Sequence, residues 1–244
     1  AQYRWESALN LPTTTSGILC LATDGTDLFV GTEDAGVLQM SVNGNLIQSW
    51  EASDGLSANE VTDIQHDVFT NQMIAIHPFS GMSVIDTNST TVNETWTTNN
   101  GNLDSNQMNS LAVRGGIAYL GTNNRGVERI DIANSTRLTP WTSTGLDDLE
   151  SMPIAIDGDT LYLGLYGFGV LVYNVTSGEQ IDVWRRTGGG PGGGGNNQSP
   201  SNNVLSLAVL SPGTALVGTM NGGARPTSSG WPRRGLSGTE VGRA

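Results

Sequence analysis

The six tryptophans of this chain stand in one phase of one repeat. They are Trp5, Trp50, Trp96, Trp141, Trp184 and Trp231, separated by 45, 46, 45, 43 and 47 residues. A fixed period near 45 residues marks a stacked or radial repeat, in which each unit buries its apolar face against its neighbours. Any fold for the chain has to put these indoles in equivalent places.

A second anchor appears on alignment by that phase. Residues 28–37, 73–82, 118–127, 161–170 and 215–224 match column for column without gaps. Gly36, Gly81, Gly126, Gly169 and Gly223 share one column; Gly31, Gly121, Gly164 and Gly218 share another, with Ile76 the exception. A repeated glycine signals either a turn with positive φ or a close approach of backbone. Short apolar runs precede each segment, among them ILCLAT (18–23) and VLSLAV (204–209), and others follow it, such as GVLQMSV (36–42).

Each unit thus offers four strands of about five residues, separated by Gly, Asn, Asp and Ser turns. No stretch keeps a helical period. About 45 residues and four strands is the size of a β-propeller blade. The expected fold is therefore all-β, a five-bladed β-propeller of four-stranded antiparallel blades spanning 1–231. The repeats fall at about 17–50, 59–96, 106–141, 149–184 and 202–231. Residues 1–6 have the phase of a fourth strand without three strands before them, so they are expected to close the ring as the outermost strand of the last blade.

These units resemble the propeller repeats of two-component regulator sensors and related bacterial and archaeal surface propellers. The residues that carry the resemblance include Leu28 to Thr32, Ala118 to Thr122, Leu161 to Gly164 and Leu216 to Thr219, within roughly residues 5–224. The resemblance implies the fold and leaves the ligand open, because such repeats are structural. The second unit departs most: His77, Pro78 and Phe79 replace the usual Thr and polar pair.

Two segments break the pattern. Residues 188–200, beginning GGGPGGGG, read as a glycine-rich loop insertion between the fourth and fifth units. After Ala224 the alternation is lost, and residues 232–244 read as an irregular tail, either a degenerate last unit or sequence foreign to the repeat.

Charge excludes some partners. The formal net charge is −12, and all eleven basic residues are arginine. Nucleic acid calls for a basic stripe, which an acidic chain lacks. No apolar run is long enough to span a membrane, so membrane insertion is not expected. Cys20 is the only cysteine, which rules out an intrachain disulfide. The start at Ala1 fits removal of a leader, and Asn88, Asn93, Asn134, Asn174 and Asn197 head N-x-S/T triplets. Together these point to an extracellular or cell-surface setting.

In a propeller, the loops from strand two to strand three lie on the same face as those leading into the next inner strand. Here the two-to-three loops occupy equivalent columns with divergent side chains, which is how function rides on a rigid frame. They place Phe79, Asn124, Arg125, Tyr166 and Phe168 as candidate ligand-binding residues. Tyr166 and Phe168 offer aromatic surface to a sugar or an apolar group; the alternative is packing against a neighbouring blade. His77 stands in the column of Thr32, Thr122 and Thr219, as a candidate acid–base group or a structural hydrogen-bonder. Asp63 shares the inner-strand column of Cys20, Ser110, Ile154 and Ser206, as a candidate catalytic or metal-ligating carboxylate or a solvated channel lining. Asp54, Asn59, Asn100, Asn102, Asp104, Asn106, Asp147, Asp148, Glu150, Asn202 and Asn203 crowd the loops before the inner strands. Their hard oxygens suit Ca²⁺, and the same residue types are what turns prefer.

Three functions follow. The first is a binding or interaction module that presents its loop face to a small molecule, glycan or protein. The second is a metal-assisted hydrolase of esters, lactones or phosphotriesters at the channel mouth, with Asp63 and His77 acting on substrate or water. It rests on fold analogy with lactonase- and paraoxonase-type propellers. The third is a structural repeat of a larger surface protein. The chain has no HExxH, GxSxG or phosphate-loop motif, and no Lys-Ser/Thr follows the oligoglycine run.

Overall fold

The computed structural model describes residues 17–89, 91–100, 103–123, 126–141, 151–185, 196–197, 203–211, 214–220 and 223–228. Each repeat forms one antiparallel sheet with its strands in chain order. The first sheet is β1 (Ile18–Thr23), β2 (Leu28–Thr32), β3 (Val37–Met40) and β4 (Leu46–Trp50). The second is β5 (Asp63–Asp67), β6 (Gln72–His77), β7 (Gly81–Asp86) and β8 (Val92–Trp96). The third is β9 (Met108–Arg114), β10 (Ile117–Thr122), β11 (Gly126–Asp131) and β12 (Thr136–Trp141). The fourth holds β13 (Ser151–Asp157), β14 (Thr160–Leu165), β15 (Gly169–Asn174) and β16 (Gln180–Arg185). Among the described residues helix is limited to one 3₁₀ turn, Ala52–Asp54.

Two segments that break the repeat pattern carry strands. Within the glycine-rich insertion 188–200, Asn196–Asn197 form β17, which pairs parallel with β16 and makes the fourth sheet five-stranded. An outermost strand carries an unpaired backbone edge, and polar asparagine backbone can fill it. In the fifth sheet, β18 (Val204–Ser211) and β19 (Thr214–Thr219) are followed by β20 (Gly223–Ser228). A third strand therefore continues past Ala224, where alternation fails. Pro226 lies opposite Leu216 in β20, which is an edge strand among the described residues. Proline is tolerated at such an edge.

The tryptophans mark one structural position. Trp50, Trp96 and Trp141 end their fourth strands and Trp184 stands one residue before the end of its own; they pair with Val37, Met82, Val127 and Val170, each the residue after a turn glycine. All four indoles are buried. Trp141 stacks on Tyr173 of the next sheet at 5.3 Å between ring centroids, with Tyr119 at 5.4 Å and the Arg129 guanidinium over it at 4.5 Å. The Trp50 indole N–H donates across the boundary to the Ser89 carbonyl at 3.3 Å. Trp5 and Trp231 lie outside the described residues.

The two glycine columns serve different needs. Gly36 and Gly81 hold φ of +69° and +83°. A side chain there would also collide with the carbonyl oxygen of Trp50 or Trp96. Gly31 needs no positive φ; a Cβ would overlap Cys20 Sγ and Val61 of the following unit. Gly164 is likewise closed by Val204, again from the following unit. The second column is a packing requirement between sheets.

The core consists of layers between successive sheets. Phe29 and Trp50 pack with Ile64, Met73 and Ile85 across the first boundary. Ile74 and Met82 meet Leu111 and Leu120 across the second, and Tyr119 and Trp141 meet Leu163 and Tyr173 across the third. Tyr162 and Trp184 meet Val204 and Val217 across the fourth. The inner strands β1, β5, β9, β13 and β18 pack in that order. Comparable packing does not join β18 back to β1 among the described residues. On β1, Ile18, Leu19 and Leu21 remain exposed.

Candidate functional site

Asp63, Gln65 and Asp67 alternate along β5 and so share one face of it. That face is turned to the third sheet. The Asp63 carboxylate accepts from Leu111 N–H at 3.2 Å, and its other oxygen accepts from Ile64 N–H at 2.9 Å. The Gln65 amide donates to the Leu111 carbonyl at 2.7 Å and accepts from Val113 N–H at 3.1 Å. Asp67 accepts from Gly116 N–H at 3.3 Å. Side chains on one inner strand thus read the backbone of the next, in place of a strand-to-strand ladder.

The N-terminal halves of the inner strands sit level with the C-terminal halves of the second strands. Asp63 pairs with Ile76, Ser110 with Gly121 and Ile154 with Leu163. They therefore lie beside the two-to-three loops. Between them opens a cavity of about 410 Å³. Asp63 and Gln65 line it from the second sheet and Asn109, Ser110 and Leu111 from the third. Pro153 and Ile154 come from the fourth sheet and Leu205 from the fifth. Four sheets converge on this mouth. The Ser110 residue is only 5% exposed, and its hydroxyl has no hydrogen-bond partner among the described residues. The Asn109 amide donates to the Asn123 side chain in the adjoining loop.

Burial sets the electrostatics. Removal from water pushes the Asp63 carboxyl up to about 6, against the smaller lowering effect of the N–H groups of Leu111 and Ile64. Burial, and then the charge of Asp63, push the Cys20 thiol up to about 12. Its Sγ lies 3.4 Å from the Val61 carbonyl, as a small packed group.

The structure separates the sequence candidates. His77, placed as a catalytic candidate, is 0% exposed. Its Nδ1 lies 2.9 Å from the Glu60 carbonyl and its Nε2 2.9 Å from Ser83 Oγ. Both nitrogens are engaged and burial lowers the imidazole to about 4, so His77 stays neutral and structural. The ring links β6 to the Glu60 carbonyl and the Ser83 hydroxyl. Phe168 packs onto the Trp141 and Tyr173 cluster between sheets. Phe79 is 71% exposed at the second loop. Tyr166 is 38% exposed, with its hydroxyl 3.8 Å from Met220 Sδ of the next sheet. Asn124 and Arg125 lie outside the described residues.

Several of the loop oxygens suited to Ca²⁺ are already engaged, while Asn102, Asp147, Asp148, Glu150 and Asn202 lie outside the described residues. Asn59 accepts from Ala52 N–H at 2.7 Å, Asn106 from Thr98 N–H at 2.7 Å and Asn203 from Gly167 N–H at 3.1 Å. Asp54 accepts from Glu51 N–H, and Asp104 pairs with Arg137, which also grips the buried Glu128. Among the described residues no three of His, Cys, Asp and Glu gather to hold a metal ion. Gln65, Asn109, Leu111, Pro153 and Leu205 were not among the residues expected at the site. Gln65 had a signal in its spacing of two from Asp63 and Asp67; the others depend on neighbouring sheets.

No protein family matches the chain, and no curated protein matches it in sequence. Solved structures do match its fold. The computationally designed Ika8 protein matches at 17% identity and a TM-score of 0.67, over 87% of this chain and 58% of that one. The extracellular domain of BT4673 from B. thetaiotaomicron matches at 15% identity and a TM-score of 0.63, over 88% of this chain and 28% of that one. The RRP9 WD40 repeats match at 14% identity and a TM-score of 0.66, over 86% of this chain and 59% of that one. The chain thus spans less than two thirds of the length of each of these three. At such identities the match establishes the fold, an all-β propeller of repeated antiparallel sheets that resembles the sensor-type and WD40-type structures.

Proposed function

We propose that this chain is a ligand-binding propeller whose site is the cavity at the channel mouth. The observation that supports it is the convergence of four sheets on one cavity of about 410 Å³, which has a polar wall and an apolar wall. That volume lies in the range of about 300–1,000 Å³ usual for small-molecule sites. The exposed Phe79 and Tyr166 stand on the same loop face, where a larger ligand or protein would meet them. The experiment is a fragment screen by ligand-observed NMR, repeated on Leu205→Trp, which fills the mouth. Hits that persist on the filled variant would place binding elsewhere.

The five sheets are read as a five-bladed ring in which residues 1–6 supply the outer strand of the fifth blade. The open edge of β20 among the described residues and the exposed apolar side chains of β1 favour this. The likeness to an extracellular domain, together with the acidic, lysine-free composition, favours a position outside the cell or at its surface. No helix among the described residues is long and apolar enough to cross a membrane.

A further inference from the structure

Hydrogen-bond accounting at the channel mouth leaves only certain capacities open. The Gln65 amide donates one N–H to Leu111 and accepts from Val113, which leaves it one N–H and one lone pair. The Asn109 amide is engaged with Asn123. Each Asp63 oxygen accepts one backbone N–H, but a carboxylate offers about four lone-pair positions, so acceptor capacity remains. No cation pairs with Asp63 among the described residues. Ser110, nineteen-twentieths buried in the lining, has a hydroxyl without a partner among the described residues. What the site lacks among the described residues is a cation opposite Asp63.

Resting on the reading of this cavity as a ligand site, we infer that it takes a small organic monocation, a primary ammonium group on an apolar tail. The ammonium carries three donors and no acceptor, which matches the acceptor capacity left on the Asp63 carboxylate. A carboxylate in a partly desolvated site is costly until a cation joins it. Pro153, Ile154 and Leu205 form the opposite wall and would cover the tail. A bare divalent cation fits less well. Ca²⁺ takes about six to eight oxygen ligands, whereas among the described residues Asp63 is the only carboxylate lining this cavity and one wall is hydrocarbon. An inorganic or organic anion meets the Asp63 charge.

The pH response follows from the same group. With its carboxyl near 6, Asp63 exchanges its charge for a proton in mildly acidic solution, while the ammonium stays charged. The neighbouring titratable groups do not follow. The Cys20 thiol at about 12 remains neutral on β1, and His77 on β6, at about 4, remains neutral above that value.

The test is a calorimetric or NMR titration of straight-chain primary amines of three to eight carbons, beside alkanols of equal length and CaCl₂. Amine affinity is expected to rise with tail length and to exceed that of the matched alkanol at least tenfold. It should fall about tenfold per pH unit below about 6. Asp63→Asn should lower amine affinity at least tenfold, to about that of the matched alkanol. Leu205→Lys, which supplies a tethered ammonium at the mouth without touching Asp63 or its bonds, should abolish amine binding with an unchanged far-UV spectrum. Equal affinities for amine and alkanol, or Ca²⁺ displacing the amine in a one-to-one competition, would overturn the cation assignment while the cavity stands as a ligand site. Amine binding untouched by both Asp63→Asn and Leu205→Trp would remove the cavity as the site altogether.

Discussion

The Gln65 side chain reaches from the second sheet to the third and donates to the Leu111 carbonyl at 2.7 Å, while accepting from Val113 N–H. This one amide satisfies two backbone groups of an inner strand that has no neighbouring ladder at that edge. It holds the two blades in register beside the candidate site.

Replacing Gln65 with leucine keeps the volume and leaves both backbone groups unpaired. The loss is expected to be about 2–3 kcal/mol, since each unsatisfied group costs on the order of 1–3 kcal/mol less whatever water restores. Urea denaturation of the wild type and Gln65→Leu measures it. A change below about 0.5 kcal/mol would show that water replaces the amide without loss.

Asp63 and His77 carry opposite pH dependences. The Asp63 carboxyl is raised from 3.8 to about 6, so its favourable contribution is complete below about 4 and is lost as pH rises through 6. His77 is lowered from 6.5 to about 4, so its contribution is complete above 6.5 and is lost as pH falls through 4. Each amounts to about 3 kcal/mol, at about 1.4 kcal/mol per pKa unit. Between pH 4 and 6 they offset, and wild-type stability from these two groups is nearly flat. Asp63→Asn should therefore become more stable with rising pH across that window, and His77→Gln less stable. Parallel stability–pH curves for all three proteins would refute the paired effect.

Gly36 and Gly25 separate two costs of adding a side chain. Both hold positive φ, +69° and +94°, but a Cβ at Gly25 meets nothing within 4 Å. Gly25→Ala should cost about 1 kcal/mol of backbone strain. Gly36→Ala should cost well above that, because the Trp50 carbonyl and the Leu56 side chain occupy the space. Equal melting temperatures for the two variants would mean that the fourth strand can move away freely.

The closure proposal gives the fourth prediction. Deleting residues 1–6 should lower the melting temperature far more than deleting residues 232–244, because an open ring exposes strand edges. Both segments lie outside the described residues. The comparison reads the role of the N-terminal segment directly. Equal effects, or a larger effect from the C-terminal deletion, would count against closure by residues 1–6.

Much of the fold was legible because repetition supplies five readings of one pattern. The tryptophan phase located the ends of β4, β8, β12 and β16, and the gapless segments located the second strands and the turn glycines. The strand after Gly223 lies inside the fifth repeat, 202–231, although Arg225 and Pro226 break the apolar alternation that a half-buried strand shows. The short strand at Asn196–Asn197 was hidden. A two-residue edge pairing uses backbone alone and needs no side-chain pattern.

The site was legible only by column. Asp63 stood out as a charge in an inner-strand column, and its neighbours on other blades could be named by alignment. Its partners could not. Whether a polar residue in a repeated column faces solvent, a neighbouring backbone or a cavity depends on the offset between adjacent sheets, which no single repeat encodes. His77 shows the consequence. Its column is shared with threonines whose hydroxyls bond within their own turn, as Thr32 Oγ1 does to the Gly36 carbonyl at 2.8 Å. Ser83 and the Glu60 carbonyl then turn the histidine into a buried link.

From its sequence alone the chain was bound to an all-β repeat of sheets with tryptophan at each outer strand end and glycine at two fixed points. Local periodicity and turn chemistry decide those features, and they recur within about 45 residues. The tertiary structure decided which side chains meet: Asp63 with Leu111, Gln65 with Val113, and four inner strands around one cavity. Those contacts join residues roughly one repeat apart, and their geometry depends on how the sheets pack through buried layers such as Trp141 on Tyr173. Packing between sheets is a cooperative property of the whole stack, so the pattern of any one unit could not reveal it.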